Sequence, residues 1–374
     1  MTRLYDALGA MPWLLLAMSR LSDAYCECGY SVNKTTDTQH EIFTDLIEND
    51  FLHTSKIEGS GWRPQEYNVS AKDARGPYGK QFLPENIVPN PLKDKKKWGG
   101  ESKEGGDAGL QLWVRGDHSK GFISASEMAS DRKDTLYGSY RVGMKLSASQ
   151  GTCGAFFWFF DNAQEIDLEF LSKQFNASQG AVNLVLQSPD SVKNMDASNT
   201  STFRVQHLPF RPDEKFHEYR FDWTKDRVSF FVDGNWLWDM TDNVPKDAGT
   251  LFLNHWSNGD PLWSAGPVNK DTVMTVSYIK AYFNSGDEQR KKDYTKRCPT
   301  MDPAKVCEIP HQSSPPTPGA NEDDEAGKTY FFSQDPKHAP NQTVAASGSI
   351  RQTATSLCVY VPLFVALFSG FMSI

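Results

Sequence analysis

The sequence predicts an all-β protein, either a sandwich or a barrel. Many short segments of the 374-residue chain alternate apolar and polar residues or are rich in aromatic and β-branched residues, which is typical of strands. Turn-forming residues separate these segments, and the long 3.6-residue periodicity of amphipathic helices is absent. Aromatic residues make up 12% of the chain, which is enough apolar material for a large core.

The strongest strand patterns lie between residues 110 and 283. Tyr137–Ser147 alternates cleanly and places four apolar side chains on one face, namely Tyr140, Val142, Met144 and Leu146. Asp233-Gly234 lies between two β-rich runs, which predicts a hairpin. The other predicted strands are Glu41–His53, Leu110–Arg115, Ala155–Phe160, Glu165–Glu169, Val182–Gln187, Phe216–Trp223, Arg227–Val232, Asn235–Trp238, Leu251–Asn254 and Met274–Phe283.

Both ends of the chain carry patterns typical of processing signals. Residues 1–24 combine Arg3 with the apolar run Ala7–Met18, which predicts a secretory signal peptide; a short membrane anchor is the alternative. Residues 347–374 combine small residues, a polar spacer and an uncharged apolar tail, which predicts a GPI-anchor signal with Ser347 and Gly348 as candidate attachment residues. A retained transmembrane helix is the alternative, since a tail of this length can just span a bilayer.

Sequons and cysteines agree with secretion. Five N-glycosylation sequons begin at Asn33, Asn68, Asn176, Asn199 and Asn341. Removal of the tail would remove Cys358 and leave five of the six cysteines. In an oxidising compartment we expect two disulfides among them and one remaining thiol. The connectivity stays open, although Cys298 and Cys307 are candidates for closing a small loop after the last strand.

Composition divides the rest of the chain into a domain and a stalk. Residues 25–284 are predicted to form one folded unit, in which Gly59–Gly106 is rich in loops. The basic run Lys93–Lys97 within it is interpreted as a solvated loop or, alternatively, as a patch for a glycan or an acidic partner. Residues 285–346 are charged and then rich in Pro, Ser and acidic residues, which predicts a linker or stalk with a helix within Gly286–Arg297.

Charge and motifs narrow the possible partners. The formal net charge of −8 argues against nucleic acid as a partner and is compatible with a neutral polysaccharide. The sequence has no P-loop, no Gly-rich dinucleotide loop and no zinc-ligand spacing, so we expect no cofactor. We further expect a monomer.

Three acids at alternate positions mark the segment from Glu165 to Glu169. In a strand, Glu165, Asp167 and Glu169 share one face, while Ile166 and Leu168 share the other. Acids on one face repel each other, so the arrangement lowers stability and suggests a function. The structural alternative is an ordinary strand with its polar face exposed to solvent.

The spacing of these acids suits glycoside hydrolysis with retention. That reaction needs two carboxyl groups about 5–5.5 Å apart, one ionised to attack the anomeric carbon and one protonated to serve the leaving oxygen. Residues four apart on a straight strand have Cα atoms about 13 Å apart, a gap that long Glu side chains and strand curvature can close. Asp167 between them can bond a neighbouring carboxyl and help to keep the second Glu protonated.

Glu165–Leu171 resembles the signature of glycoside hydrolase family 16, the retaining β-glucanases and transglycosylases. Other stretches resemble further parts of that family, namely Tyr137–Leu146, Phe216–Tyr219, Asp222-Trp223, Val232–Gly234, Asn254–Trp256, Asp260, Trp263 and Gly266. Cys26–Tyr30 and Gly151–Gly154 resemble a fungal wall-associated, GPI-anchored branch. The resemblance covers residues 25–284. It implies a concanavalin A-like jelly-roll β-sandwich of two curved antiparallel sheets with a cleft on the concave face.

By position, the resemblance implies that Glu165 is the nucleophile, Asp167 the assisting acid and Glu169 the general acid/base. The residues that fall where the family contacts sugar are Asn183, Asn254, Trp256 and Trp263. Aromatic rings suit that role because their faces stack on the C–H faces of glucose. Trp158 is a further candidate for contact with sugar, and a place in the core is the alternative. We expect His255 to be a structural neighbour of the sugar-binding residues.

Three residues depart from the family pattern and leave the substrate open. Ala163 stands where lichenases carry a Trp, Gln164 replaces the usual acidic residue, and Ser172 replaces a common Gly. A structural Ca²⁺ occurs in parts of the family, but its ligands cannot be assigned from this sequence.

The resemblance implies a secreted, surface-anchored retaining glycoside hydrolase that acts on cell-wall β-glucan by double displacement, of the endo-β-1,3(4)-glucanase type. One alternative is a cell-wall transglycosylase or crosslinking enzyme, and another is a lectin-like module without catalysis. The expected partner is β-glucan, with membrane contact only through a lipid anchor.

Overall fold

A computed structural model describes residues 26–32, 42–194, 197–310 and 331–332. Two large, mainly antiparallel sheets of nine and eight strands form a jelly-roll sandwich, so the predicted all-β class is confirmed. The signal peptide, Asn33, Asn341, Cys358 and the GPI-anchor signal with Ser347 and Gly348 lie outside the described residues.

The chain forms twenty strands and two α-helices within the described residues. The first ten strands are β1 Tyr30–Ser31, β2 Ile42–Phe43, β3 Asp45–Asp50, β4 Trp62–Pro64, β5 Tyr67–Val69, β6 Gly79–Phe82, β7 Ile87–Asn90, β8 Gly109–Val114, β9 Phe122–Ser130 and β10 Thr135–Lys145. The remainder are β11 Cys153–Asp161, β12 Gln164–Leu171, β13 Gly180–Gln187, β14 Phe203–Leu208, β15 His217–Trp223, β16 Val228–Val232, β17 Asn235–Met240, β18 Thr250–Trp256, β19 Thr272–Ser285 and β20 Cys307–Glu308, with helices α1 Pro189–Asn194 and α2 Glu288–Arg297.

The nine-stranded sheet carries the acid strand β12 near its middle. Its order is β14-β13-β12-β11-β18-β9-β6-β5, and β4 also pairs with β9. The eight-stranded sheet has the order β17-β16-β15-β10-β19-β8-β7, and β3 pairs with β19. A three-stranded sheet, β2-β1-β20, joins the two ends of the described chain.

The main core lies between the two large sheets. The four apolar residues predicted to share a face of β10 all lie in it, as do Ile166 and Leu168 of β12. Each large apolar side chain that is fully buried contributes about 1.5–3 kcal/mol, so this layer fixes which face of each strand points inward. The acids of β12 therefore lie on the opposite, outer face of their sheet.

The predicted hairpin at Asp233-Gly234 is confirmed. These two residues connect β16 to β17, and their φ angles are +47° and +75°. Positive φ at both positions is the signature of a type I′ turn, for which Asp-Gly is a preferred sequence.

Several strands were not predicted. Gly59–Gly106, expected to be loop-rich, contains β4, β5, β6 and β7, and the strands β9 and β14 are also new. These elements are short or rich in small polar residues, so their local pattern is weak. Pairing with neighbouring strands determines them, as β6 shows by running parallel to β9.

The chain after β19 folds back onto the sandwich instead of leaving it. Two disulfides, Cys26–Cys307 and Cys28–Cys298, connect it to the N-terminal segment, so the expected Cys298–Cys307 loop is corrected. The predicted number of disulfides is confirmed. The helix expected within Gly286–Arg297 forms as α2, and residues 285–310, expected to belong to the stalk, are folded here.

None of the helices in the described part of the chain is long and apolar enough to cross a membrane. The described sequon residues Asn68, Asn176 and Asn199 are all exposed.

Candidate active site

The outer face of the nine-stranded sheet, which we call the site face, presents its polar residues in rows across the strands. Residues directly opposite each other in neighbouring strands lie on the same face. One row runs Glu127, Asn254, Ala155, Glu169 and Asn183 over strands β9, β18, β11, β12 and β13. Glu169 therefore lies in line with two of the predicted sugar-binding residues.

The next two rows contain the other acids of β12. Asp167 lies between Phe157 and Val185, and Glu165 lies between Phe159 and Gln187. The three acids predicted to share a face of one strand do so. An apolar cluster lies beside them on β9, β11 and β18 and consists of Ala129, Ala155, Phe157 and Phe252, with Phe159 packed against it.

The acids are largely shielded from solvent although they point away from the core. Asp167 is 3% exposed and Glu169 is 9% exposed, while Glu165 is more accessible. Neighbouring strands and loops therefore screen these carboxyl groups, and we call the part of the site face around them the recess. The loop that follows β18 contributes Trp263, and the loop before β6 is tied to it because Asn258 Nδ2 donates to the Ala74 carbonyl at 2.6 Å.

Burial raises the pKa of all three carboxyl groups. Desolvation raises the pKa of Glu165 to about 8 and that of Glu169 to about 7. Asp167 has a pKa well above its usual range, first because of desolvation and then because of the charges of Glu165 and Glu169. The three groups therefore do not all carry a charge at neutral pH.

Asp167 forms a hydrogen bond with Glu165 that has opposite effects on the two groups. It lowers the pKa of Glu165 and raises that of Asp167. In this bond the Asp167 carboxyl acts as donor and the Glu165 carboxylate as acceptor, so the bond partly offsets the effect of burial on Glu165. A carboxylate that accepts such a bond is stabilised in its charged form.

Glu169 is surrounded by donors and by a cation. Cys153 Sγ donates to Glu169 Oε1 at 3.6 Å, and this contact lowers the pKa of Glu169. The charge of Lys80 and the indole N–H of Trp263 lower it as well, although the Trp263 nitrogen makes no hydrogen bond of ordinary geometry. Cys153 is the thiol left over from the two disulfides, and burial raises its own pKa.

The predicted asparagines reach the site face but differ in what they offer a ligand. Asn183 is buried, and its amide exchanges hydrogen bonds with Gln174 at 3.0 and 3.2 Å and donates to the Glu169 carbonyl at 3.2 Å. It therefore orients the strand that carries Glu169. Asn254 donates to Glu127 Oε2 at 3.4 Å, and its Oδ1 has no hydrogen-bond partner among the described residues.

The predicted tryptophans lie in different places. Trp256 is buried on the site face with its ring covered by Lys80, whose Nζ is 4.1 Å from the ring centroid. The ring centroid of Trp263 lies 6.5 Å from that of Phe203. Trp158 is fully buried in the core and donates from Nε1 to the Thr135 carbonyl at 3.1 Å, so its assignment as a substrate-binding residue is corrected.

His255 lies in the row of Gly154 and Ser126 on the core side of the sheet, as expected for a structural neighbour. Its Nδ1 is 2.9 Å from the Leu112 carbonyl, and burial lowers its pKa to about 4. It is therefore neutral at physiological pH.

Four residues of the site were not found from the sequence, namely Lys80, Glu127, Cys153 and Gln187. Glu127 accepts from Tyr67 Oη at 2.8 Å, and burial raises its pKa to about 7. Lys80 comes from the unpredicted strand β6. A sequence signal existed for Glu127 alone, as an acid within the apolar and small-residue run that forms β9.

Gln164, which departs from the family pattern, fastens a loop to the acid strand. Its Nε2 donates to Asp247 Oδ2 at 2.7 Å, and its Oε1 accepts from the backbone N–H of Lys246 at 2.9 Å. These bonds connect the start of β12, next to Glu165, to residues 246–247. Ala163 next to it is partly exposed.

Within the described ranges, no group of three or more His, Cys, Asp or Glu side chains is arranged to hold a metal ion. The site consists of carboxyl groups, amides, a cation and aromatic rings.

The sandwich and its three-carboxyl strand define an enzyme of the glycosidase class. Residues 94–280, half of the chain, match the model of the glycosyl hydrolases family 16. The chain belongs to this family, and the predicted family is confirmed.

Relatives come from bacteria and fungi. A beta-glucanase from Acetivibrio thermocellus is 32% identical over 156 residues, which cover 40% of this chain and 43% of that protein. Crh-like protein 3 from Botryotinia fuckeliana is 26% identical over 244 residues, which cover 55% of this chain and 52% of that protein. The chain thus spans about half the length of the curated relatives it matches.

Solved structures are similar as well. The beta-glucanase of Bacillus licheniformis is 17% identical, with a TM-score of 0.48 and coverage of 64% of this chain and 98% of that chain.

Proposed function

We propose that the protein is a retaining glycoside hydrolase that cleaves β-glucan by double displacement. The observation that carries this proposal is the set of Glu165, Asp167 and Glu169 on one face of one strand, largely shielded from solvent, with Asp167 hydrogen-bonded to Glu165. An exposed polar strand would have carboxyl groups of ordinary pKa that are open to water.

The two steps of the reaction use two carboxyl groups in turn. Glu165 attacks the anomeric carbon while Glu169 gives its proton to the glycosidic oxygen, so the C–O bond to the leaving sugar breaks as the bond to Glu165 forms. Glu169, now ionised, takes a proton from water, whose oxygen displaces Glu165 from the same carbon. Each carboxyl group ends in the state in which it began.

Asp167 supports both steps by keeping its own proton. Its hydrogen bond stabilises the charge of Glu165 before attack, and its neutrality spares Glu169 a further neighbouring charge. The pair of glutamates must share one proton to be productive, and their pKa values of about 8 and about 7 place that form near neutral pH.

The recess has groups that suit a sugar chain. Asp167 Oδ2, Gln187 Oε1 and Asn254 Oδ1 are buried and have no hydrogen-bond partner within the described residues, so sugar hydroxyls can donate to them. The ring of Phe159 is partly exposed beside Glu165, and Phe157 stacks on Phe252 with 5.0 Å between ring centroids. Aromatic rings of this kind pack against the apolar faces of pyranoses.

The assignment to β-glucan follows from family membership and from relatives that are named beta-glucanases. Incubation with laminarin, lichenan, chitin oligomers and xyloglucan oligomers would identify the linkage that is cut. We expect products from laminarin or lichenan whose first-formed anomer, followed by proton NMR, is β. Formation of the α-anomer first would contradict retention.

Glu165→Gln tests the proposed role of the nucleophile. The variant should lose turnover by a factor of at least about 10³ while keeping affinity for glucan, because the amide has similar size but cannot attack. A lectin-like module would show the same affinity in both forms and no turnover in either. Activity that survives in the variant would contradict the assignment.

The acceptor of the second step separates hydrolysis from transglycosylation. The similarity to a Crh-like protein makes a glycan acceptor the second candidate. Fluorescent oligosaccharides offered with unlabelled glucan would be elongated by a transglycosylase, whereas a hydrolase would release new reducing ends alone.

We also propose that the protein is secreted, N-glycosylated and held at the cell surface by a GPI anchor. Two disulfides between distant parts of the chain support an oxidising compartment. Phosphatidylinositol-specific phospholipase should release the protein from membranes of the producing cell, and peptide N-glycosidase F should lower its mass. Attachment that persists after the phospholipase would favour a transmembrane tail.

A further inference from the structure

Lys80 lies in the recess although neither step of the proposed reaction uses it. It projects from β6, the strand that runs parallel to β9, and is 2% exposed. Its Nζ is 4.1 Å from the ring centroid of Trp256 and 5.9 Å from that of Phe82. A lysine is rarely buried so completely unless anions compensate it.

The groups that face Lys80 come from several strands. Glu127 on β9 and Glu169 on β12 favour the charged ammonium, while Arg75 in the loop before β6 opposes it. The neutral thiol of Cys153 on β11 lies beside them. Desolvation is the largest effect and lowers the pKa of Lys80 to about 8. The side chain is therefore predominantly charged at neutral pH.

The influence of Lys80 reaches each glutamate of the site. Its charge lowers the pKa of Glu127, Glu165 and Glu169, all of which burial raises. The rings of Trp256 and Phe82 fix the ammonium, so its charge acts from a defined place without moving into the solvent. Trp256 thereby acts as a support for the cation, since Lys80 covers its ring.

We propose that Lys80 is a positioning residue whose fixed ammonium balances the carboxyl groups of the recess and sets the pH range in which Glu165 and Glu169 share one proton. This inference rests on the proposed function. Lys80 lies on β6, which is outside the segment that matches the family. In this proposal it adjusts the proton affinities of the carboxyl groups on β12.

Lys80→Met removes the charge and keeps an unbranched apolar stem. We expect the acid limb of the bell-shaped profile of kcat/KM against pH to move to higher pH by about one unit, because a neighbouring opposite charge typically lowers a carboxyl pKa by about 1–3 units. At pH 6 the variant should be roughly tenfold less active than the wild type, and at pH 9, where Lys80 itself has lost most of its charge, the two should differ little. A merely structural lysine would lower activity at every pH.

Matched variants separate charge from packing. Lys80→Arg keeps the charge and should leave the profile near its original pH, while Lys80→Gln should move it as Met does. Lys120→Met, an exposed lysine in the loop before β9, is the control and should change nothing. If Lys80→Met does not fold, the Gln and Arg variants decide the question in the same way.

Two outcomes would overturn the proposal. A folded neutral variant whose profile coincides with that of the wild type would show that the charge is not used, and an Arg variant that shifts as much as the Met variant would point to packing. Either result leaves the catalytic assignment intact if Glu165→Gln is inactive. An active Glu165→Gln would instead contradict the proposed function itself.

Discussion

The Cys153 thiol and the Glu169 carboxyl are in contact across neighbouring strands, with Sγ 3.6 Å from Oε1. The thiol has its pKa raised by burial and by the charge of Glu169, so it stays protonated and acts as a donor. A weak donor at this place changes the proton affinity of the candidate acid/base without taking part in the reaction.

Cys153→Ala should raise the pKa of Glu169 because the donor is lost. The alkaline limb of kcat/KM against pH is then expected to move upward by a few tenths of a unit, with a gain of about twofold in activity above the optimum and no change near pH 6. Cys153→Ser retains a hydroxyl donor and is the control. A Cys153→Ala enzyme with an unchanged profile would contradict the role given to the thiol.

Glu165→Gln should make the protein more stable at pH 8 although it abolishes turnover. Glu165 has a folded pKa of about 8 against an ordinary value of 4.5. Because this pKa is raised on folding, the stability it contributes is complete below pH 4.5 and is lost as pH rises through about 8.

The amide avoids that loss, so its gain in stability should be about 1–2 kcal/mol at pH 8, or several degrees in Tm, and absent at pH 4. Differential scanning calorimetry at the two pH values measures it. An equal change of Tm at both values would show that the effect is not electrostatic.

Gln164→Glu tests why this chain departs from the family pattern beside its first acid. The wild-type amide donates to Asp247 Oδ2 at 2.7 Å, whereas a carboxylate would repel it. The variant should be destabilised by about 1 kcal/mol at pH 7, with part of the loss recovered at pH 4, where carboxyl groups are protonated. The double variant Gln164→Glu/Asp247→Asn should regain the lost stability. Urea titration measures the free energy of unfolding of each variant.

The disulfide Cys28–Cys298 connects the first described segment to the end of α2 across 270 residues of chain. Replacing both cysteines by Ser should lower the free energy of unfolding by about 2–5 kcal/mol, since a long loop is no longer closed in the unfolded state. The pH profile of activity should be unaffected because this disulfide is far from β12 in the topology. A changed profile would reveal coupling between the chain ends and the site.

Trp158→Phe separates the core position of this residue from a sugar-binding role. The replacement leaves the Thr135 carbonyl without its indole donor and opens a small cavity, which should cost about 1–3 kcal/mol of stability. KM for glucan oligomers should be unchanged. Trp263→Phe is the matched comparison on the site face and should raise KM, because its N–H faces Glu169.

Much of the fold was predictable because strong alternation marks the strands that line the core. The faces of β10 and β12 follow directly from their apolar residues, and Asp-Gly predicts its own turn geometry. The short strands β4 to β7 were not predictable, since their residues carry weak local signals and depend on the partner strand. Trp158 shows the limit on single residues, because alternation within the continuous aromatic run of β11 does not reveal which face each ring occupies.

The sequence alone determined the acids, their common face and the family, because a period of two on a strand places Glu165, Asp167 and Glu169 together whatever surrounds them. The tertiary structure decided what those acids experience. Burial under loops raises their pKa values, and Lys80, Glu127 and Cys153 arrive from other strands to adjust them. Electrostatic interactions depend on distance through space and on exclusion of water, neither of which is encoded in the spacing of residues along the chain.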